Sequence, residues 1–347
     1  MYPFYLGIDL HLKRSYVVLI NAEGGVLDKR RMANKDFATY LLEKVPKETF
    51  AVMEATRNWP YFYDLLGTHV ERVELAHAKQ VRSIATAAVK TDQVDASVLA
   101  HLARLNFLPT AYAAPQAIRD LRQHLRYRAW LIDERRRAKN RIHAILAGYN
   151  LASPFTDLFG RSGREWLQGV VELELRTTSR RVVLETLMLI DQLDDQIKAL
   201  GREIPLPEDL KPRAALLTSM PGVGQLTAAT ILAEIGDIQR FKSAKSLCNW
   251  AGLTPRVHSS DAIVRHGHIS KEGSRYLRSA MVTAAITACR VSPRWSRVYE
   301  RVAQRSGWRA AKVTVGRRLL TVIYYMLKRN QPYREDYEQQ RRSEQGA

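Results

Sequence analysis

Residues 4–24 read FYLGIDLHLKRSYVVLINAEG. A short apolar run closes on a single carboxylate, Asp9, and a second run alternates, with Tyr16, Val18 and Ile20 on one face. Alternation of period two marks strands. The chain therefore opens on two strands, the first carrying an acid at its end. A carboxylate in that position is costly unless a partner offsets it. Metal ions, and phosphates held through them, are the usual partners. The expectation is that later segments bring more acids, a phosphate-contacting loop and a nucleophile to Asp9.

The next residues extend this start into a sheet. A Gly24-Gly25 turn leads to a third strand near 26–33, and a helix follows Asp36 with Phe37, Tyr40, Leu41 and Val45 on one face. Residues 49–56 form an apolar strand containing Glu54, a helix starts near Pro60, and a fifth strand at 72–76 leads to a helix through Lys90. The order β-β-β-α-β-α-β-α predicts a mixed α/β sheet with helices on its faces. Strands one and four would bring Asp9 and Glu54 side by side if they are neighbours. In residues 89–105, Asp92 and Asp95 fall one turn apart on a helix, with Val94, Val98, Leu99 and Leu102 expected on the opposite, buried side. Four oxygen donors suit magnesium, or manganese as an alternative, and two such ions could flank a scissile phosphate. A surface carboxylate is the plainer account of any one acid. It accounts poorly for all four.

The chain has 347 residues and 46% hydrophobic content, enough for two or three folded domains. Lys and Arg number 54 against 35 Asp and Glu, a net charge of +19 with a pI near 10.0. This excess points to a polyanion, usually nucleic acid, over an idle solvated surface. Two cysteines, Cys248 and Cys289, make neither a disulfide framework nor a zinc site, which suits a reducing cytoplasm. No signal peptide is recognised and no apolar run reaches the roughly 18 residues that span a membrane.

Beyond residue 112 the pattern turns helical. Residues 117–146 hold no helix breaker, and Ile118, Leu121, Leu125, Ile132, Ile142 and Ile145 recur at near-heptad spacing. Residues 117–142 carry nine Lys or Arg against three acids, with Arg122, Arg126, Arg136, Arg137 and Lys139 as candidate nucleic-acid contacts. A loop with Pro154, Gly160 and Gly163 is expected next. A second helix then repeats Val183, Leu187, Ile190, Ile197 and Ile204. Two such helices read as an antiparallel hairpin or a coiled coil, a dimerisation arm whose basic face also touches nucleic acid, with Asp194 and Gly201 as imperfections on the seam. An ordinary helical linker is the competing account. Pro221-Gly222-Val223-Gly224 lies between two helical patterns and looks like a helix-hairpin-helix, with Gly222 and Gly224 exposing backbone N–H groups to a phosphate.

Residues 254–275 are polar, basic and rich in breakers, and read as a loop between helices. They contain Ser259, Ser260, Ser270 and Ser274, with Arg256, Arg265 and Lys271 as candidate phosphate contacts. A serine needs a base, a metal or cations to act as a nucleophile. By composition alone, a Ser-Ser pair in a basic loop is more often a phosphate contact. A last helical pattern runs over 296–329, and a highly charged tail follows from Arg334.

Five segments, GIDLH at 7–11, MEAT at 53–56, KTDQVDA at 90–96, MPGVG at 220–224 and GLTPRVHSSDAIVRHGHISKEGSRYLR at 252–278, occur in an order and spacing that resembles the DEDD-type insertion-sequence transposases, insertion-sequence family one-ten, and their relative the pilin-gene invertase. The resemblance implies a RuvC-like, RNase H-type domain over 1–112, a coiled-coil arm over 113–210 and a C-terminal helical domain over 211–332, and the charge of residues 333–347 reads as a disordered tail. The resemblance also implies a magnesium-binding tetrad of Asp9, Glu54, Asp92 and Asp95, and a serine nucleophile at Ser260 that links covalently to DNA. The family usually has glycine after that serine. Asp261 stands there instead, which keeps Ser259 open as the alternative. Donor and target DNA, a noncoding guide RNA, and homodimers or homotetramers are the implied partners, in a prokaryotic, nucleoid-associated setting. A hydrolytic junction nuclease using only the acids, and a non-catalytic nucleic-acid-binding protein, are the rival functions. An actin-like ATPase would need a second Gly-rich phosphate loop, which the sequence lacks.

Overall fold

Asp9 lies near the end of a central strand of a six-stranded sheet. The structure is a computed structural model. It describes the backbone of residues 1–84, 91–260 and 263–335, and the side chains of these apart from 257–260 and 263–266. It divides into two compact units, 1–114 and 115–347.

In the first unit, β1 (Phe4–Leu10), β2 (Arg14–Asn21) and β3 (Val26–Ala33) are followed by α1 (Phe37–Lys44), β4 (Thr49–Glu54), α2 (Trp59–Gly67), β5 (Arg72–Ala76), α3 (Ala78–Ile84), α4 (Asp92–Arg104) and a short β6 (Thr110–Ala111). The strand order is β3-β2-β1-β4-β5-β6, with β1–β4 and β4–β5 parallel and the other pairs antiparallel. The mixed α/β sheet expected from the sequence is present. The predicted helix continuing to Lys90 is described only to Ile84, and 85–90 lie outside the described residues.

Both faces of β1 are apolar because both are covered. Leu6, Ile8 and Leu10 join Phe37, Leu41, Phe62 and Leu66 of α1 and α2 on one face. Tyr5 joins Val52 of β4 and Ala96, Leu99, Ala100 and Ala103 of α4 on the other. The edge strand β3 is largely exposed and carries Lys29, Arg30 and Arg31, charges that discourage edge-to-edge pairing.

The second unit contains α5 (Gln116–Gly148), α6 (Arg161–Leu173), α7 (Thr177–Arg202), α8 (Lys211–Thr218), α9 (Gln225–Ile235), α10 (Ala244–Trp250), the paired strands β7 (Pro255–Ser260) and β8 (Ile263–Ile269), α11 (Arg275–Val291) and α12 (Pro293–Arg329). Helices α5 and α7 run antiparallel, since His124, Arg128 and Arg135 of α5 meet Leu200, Ile197 and Asp194 of α7 in turn. The two seam imperfections are filled. Asp194 takes an ion pair from Arg135, and a side chain at Gly201 would press on the Arg128 guanidinium at 3.2 Å.

Two segments read as loops are regular structure. Gly163 lies inside α6, where Leu167 and Val171 supply the buried face. The loop reading followed the glycines. Gly163 is there because its helix turn lies against the backbone of Asp157 and Leu158, leaving no room for a side chain. Residues 255–260 and 263–269 pair as the antiparallel strands β7 and β8, with Ser260 opposite Ile263 and Ser259 opposite Val264. Polar alternation masked the strand period there. Their roots are tied together by Arg278, whose Nη1 donates to the carbonyls of Ala251, Glu272 and Gly273 at 3.1, 2.9 and 3.0 Å.

Candidate active site

The acidic corner of the first unit is built by one close approach. A Cβ placed on Gly7 would overlap the carbonyl oxygen of Ala96 and lie 2.7 Å from the Ala100 nitrogen. Helix α4 therefore rests on β1 backbone to backbone, with Gly7 below and alanines above. Its buried residues are Ala96, Leu99, Ala100, Leu102 and Ala103, so the expected burial of Leu99 and Leu102 holds, while Val94 and Val98 are only half-buried. This corrects the expected arrangement. Asp92 and Asp95 continue the sheet-facing stripe at its N-terminal end instead of lying opposite it.

Alternation then decides which strand residues face α4. Tyr5 and Gly7 do, so Asp9 does as well. Phe50 and Val52 of β4 do, so Glu54 does as well. The β1–β4 register pairs Ile8 with Met53, and one step further Asp9 stands level with Glu54. The Thr91 side chain caps α4 by accepting from the Val94 N–H at 3.2 Å. Asp92 and Asp95 thus sit in a first helical turn, where the helix dipole favours negative charge.

His11 joins these acids, and the sequence reading did not single it out. Its Nε2 lies 3.1 Å from Asp9 Oδ2 and 3.4 Å from Asp92 Oδ1. Asn34 and Asn58 both donate to the His11 carbonyl, at 2.9 and 3.1 Å, and so hold its turn. The signal was available, because residues 9 and 11 share a face by the period-two rule that marked the strand. Arg31 of β3 approaches Asp92 at 3.7 Å from the other side. Burial pushes the Asp9 carboxyl above the ordinary carboxylate range; the His11 imidazole draws it down, and the charges of Asp92 and Asp95 raise it again.

Among the described residues, Asp9, His11 and Asp92 form the one set of three acidic or imidazole groups whose ligand atoms all lie within 4.8 Å of one another. Crowded carboxylates, one of them half-desolvated, are what a divalent cation stabilises. The donor set fits such an ion, with Asp9 and Asp92 as oxygen ligands, His11 as a nitrogen ligand, and Glu54 and Asp95 on the same corner.

In the second unit, the Pro221–Gly224 turn joins α8 to α9. Gly222 has φ +85°, and a Cβ there would lie 2.7 Å from the Ala288 nitrogen, so packing on α11 demands glycine. Gly224 precedes α9 with open space around its Cβ position. Arg122 and Arg126 are committed within the fold. Arg122 donates to the carbonyls of Ala233 and Glu234 at 2.6 and 3.2 Å, and Arg126 grips the buried Glu234 carboxylate at 2.9 and 2.8 Å. Arg136 and Arg137 are exposed and pair with Asp133 and Glu134 on their own helix. Lys139 lies over the Phe159 ring at 4.7 Å. Arg256 donates to the Ser270 carbonyl, and Lys271 is exposed at φ +56°. The side chains of Ser259, Ser260 and Arg265, and all of Asp261, lie outside the described residues.

Residues 6–151 match the family model of DEDD-type IS110 proteins, described as Transposase, and residues 214–300 match the one described as Transposase IS116/IS110/IS902 family. Over both stretches the chain is similar to this transposase family. The pilin gene-inverting protein of Moraxella bovis is 35% identical over 147 residues, covering 42% of this chain and 45% of that protein. The chain thus aligns with under half the length of that relative. The transposase for insertion sequence element IS1111A of Coxiella burnetii is 26% identical over 95% of this chain and 91% of its own length. The Streptomyces clavuligerus insertion element IS116 44.8 kDa protein is 27% identical over 93% of this chain and 94% of its own length. No helix among the described residues is long and apolar enough to cross a membrane.

Proposed function

We propose that this protein is the transposase of an insertion sequence, cutting and rejoining DNA through a covalent link to serine. The observation that carries the reading is the acidic corner, where Asp9, Asp92 and Asp95 act on one another electrostatically and Glu54 stands level with Asp9. In this reading Asp9, Glu54, Asp92 and Asp95 hold Mg²⁺, or Mn²⁺, with His11 as an added nitrogen ligand beside Asp9 and Asp92. A divalent cation bound there would neutralise charge on a non-bridging phosphate oxygen and so lower the barrier to attack at phosphorus.

Ser260, or Ser259 in its place, supplies the hydroxyl. Its Oγ forms a bond to phosphorus as the P–O bond to the departing strand breaks, and the serine proton ends on the departing oxygen. A strand hydroxyl then attacks the phosphoserine and returns the proton to serine. The exposed basic residues of α5 and the β7–β8 strands support a nucleic-acid partner, and the +19 charge supports strong salt dependence. A noncoding guide RNA and assembly as dimers or tetramers through the α5–α7 arm belong to the same proposal.

The test is a denaturing gel of the protein with labelled element-junction DNA, co-expressed RNA and Mg²⁺. A protein–DNA adduct lost in Ser260→Ala but kept in Ser259→Ala supports the reading. Loss of cutting in Asp92→Asn supports the acidic corner. Free cleaved ends with no adduct in any variant would instead favour the hydrolytic nuclease, to which the same acids lend themselves.

A further inference from the structure

Residues 294–318 hold eight Lys or Arg and one acid, Glu300. Arg297, Arg301 and Arg305 are exposed at intervals of four, so they share one side of the first part of α12. Gly307 then leaves helical geometry at φ +80° and ψ 162° and kinks the helix. Nothing lies within 4 Å of a Cβ placed on Gly307, so crowding does not demand glycine there. The left-handed backbone does. The first residue after the kink is Trp308, with its side chain 54% exposed. Arg309 and Lys312 lie over its ring at 5.0 and 4.5 Å. Among the described residues, Arg301, Arg305, Arg309 and Lys312 have no carboxylate within ion-pair distance.

An indole left in water forfeits the burial that usually stabilises tryptophan. Here it follows the exposed Arg301 and Arg305 in the chain and lies under the unneutralised Arg309 and Lys312, at a bend the backbone holds without steric pressure. A flat apolar surface beside a track of positive charge matches a chain of phosphates that carries flat, unpaired bases. We propose that the Trp308 kink of α12 binds single-stranded nucleic acid, with one unpaired base stacked on the indole and the flanking phosphates on Arg301, Arg305 and Arg309. A duplex keeps its base faces internal and cannot use the indole in this way. The inference rests on the proposed function only for the class of partner, a nucleic acid.

The experiment uses the full chain carrying Asp92→Asn, so that cutting plays no part. Single-stranded DNA and RNA oligonucleotides containing 2-aminopurine are titrated beside a blunt DNA duplex. Binding should quench the 2-aminopurine. Trp308→Ala should weaken single-strand binding about 5- to 150-fold and leave duplex binding and the melting curve unchanged. Trp308→Phe, which keeps an aromatic face, should retain most of the affinity. Arg301→Ala or Arg305→Ala should lower the salt slope on single strands by about 0.7. Dependence on Trp308 in only one of the DNA and RNA arms identifies the strand, and dependence in both shows stacking indifferent to the sugar. The proposal is overturned if Trp308→Ala binds single strands like its parent, loses duplex binding equally, or if 2-aminopurine is not quenched. If the wild-type protein, assayed separately, cuts no junction DNA while the Trp308 dependence holds, the transposase reading alone fails.

Discussion

Replacing Gly7 by alanine tests the construction of the acidic corner. The added methyl would lie 2.7 Å from the Ala100 nitrogen and overlap the Ala96 carbonyl. Ordinary contact needs about 3.4 Å or more, so α4 must withdraw from β1 by about 1 Å. Neither obstacle is the flexible end of a side chain, and both belong to a helix that buries Ala96, Leu99, Ala100 and Ala103. Overpacking of this kind costs about 1–3 kcal/mol. A lower melting midpoint, by roughly 2–4 °C per kcal/mol, should follow. The same shift carries Asp92 away from Asp9 and His11. Metal sites tolerate about 0.2 Å in ligand distance, so Mn²⁺ affinity measured by calorimetry should fall about tenfold or more. Gly169→Ala is the control, because it sits in a helix with nothing within 4 Å of its Cβ position. A Gly7→Ala protein with the parent's melting curve and Mn²⁺ affinity would refute the claim that this contact positions Asp92.

Three further outcomes are expected. His11→Ala should weaken Mn²⁺ more than Mg²⁺, because a nitrogen donor suits the softer ion, and equal losses in calorimetry would remove His11 from the ligand set. Arg126→Ala strands the Glu234 carboxylate, whose side chain is 4% exposed, and should cost about 2–3 kcal/mol in denaturant melts, the lower part of the range because Arg126 itself is half-exposed. Adding Glu234→Gln should restore much of that stability, and a double variant no better than the single would show that the carboxylate charge is not the cause. Burial pushes the Cys248 thiol above its usual range, while its Sγ donates to the Arg317 carbonyl at 3.6 Å. The folded state then holds the proton longer than the unfolded chain. This contribution is complete below the usual thiol value of about 8.5 and is lost as pH rises through the higher folded value. Cys248→Ala should flatten the alkaline fall in stability, and an unchanged fall would place its cause elsewhere.

Local pattern was enough for much of this protein. The bounds of β3 and β5, the unbroken α5, and the placing of Asp9 and Glu54 near strand ends all follow from period, apolar runs and glycine turns. So does the spacing of Asp92 and Asp95, because one turn of helix is a local quantity. Tertiary structure decided the rest. Which side of α4 faces the sheet depended on the lack of a side chain at Gly7 and on the small alanines above it; Leu99 and Leu102 are buried as expected, but the larger Val94 and Val98 turned the expected side away from the two acids. His11 became a partner of the acids only when α4 brought Asp92 across from β1. Arg122 and Arg126 look like free cations in one dimension, and become ties to α9 because acceptors more than a hundred residues away, main-chain carbonyls for Arg122 and the buried Glu234 carboxylate for Arg126, meet them in the fold. The paired strands over 255–260 and 263–269 carry too few apolar residues to declare their period, and their pairing is held by contacts such as those of Arg278 that no short window of sequence contains. Periodicity records what each residue does for its own element, but the charge partners and close approaches that build a site join residues far apart in the chain.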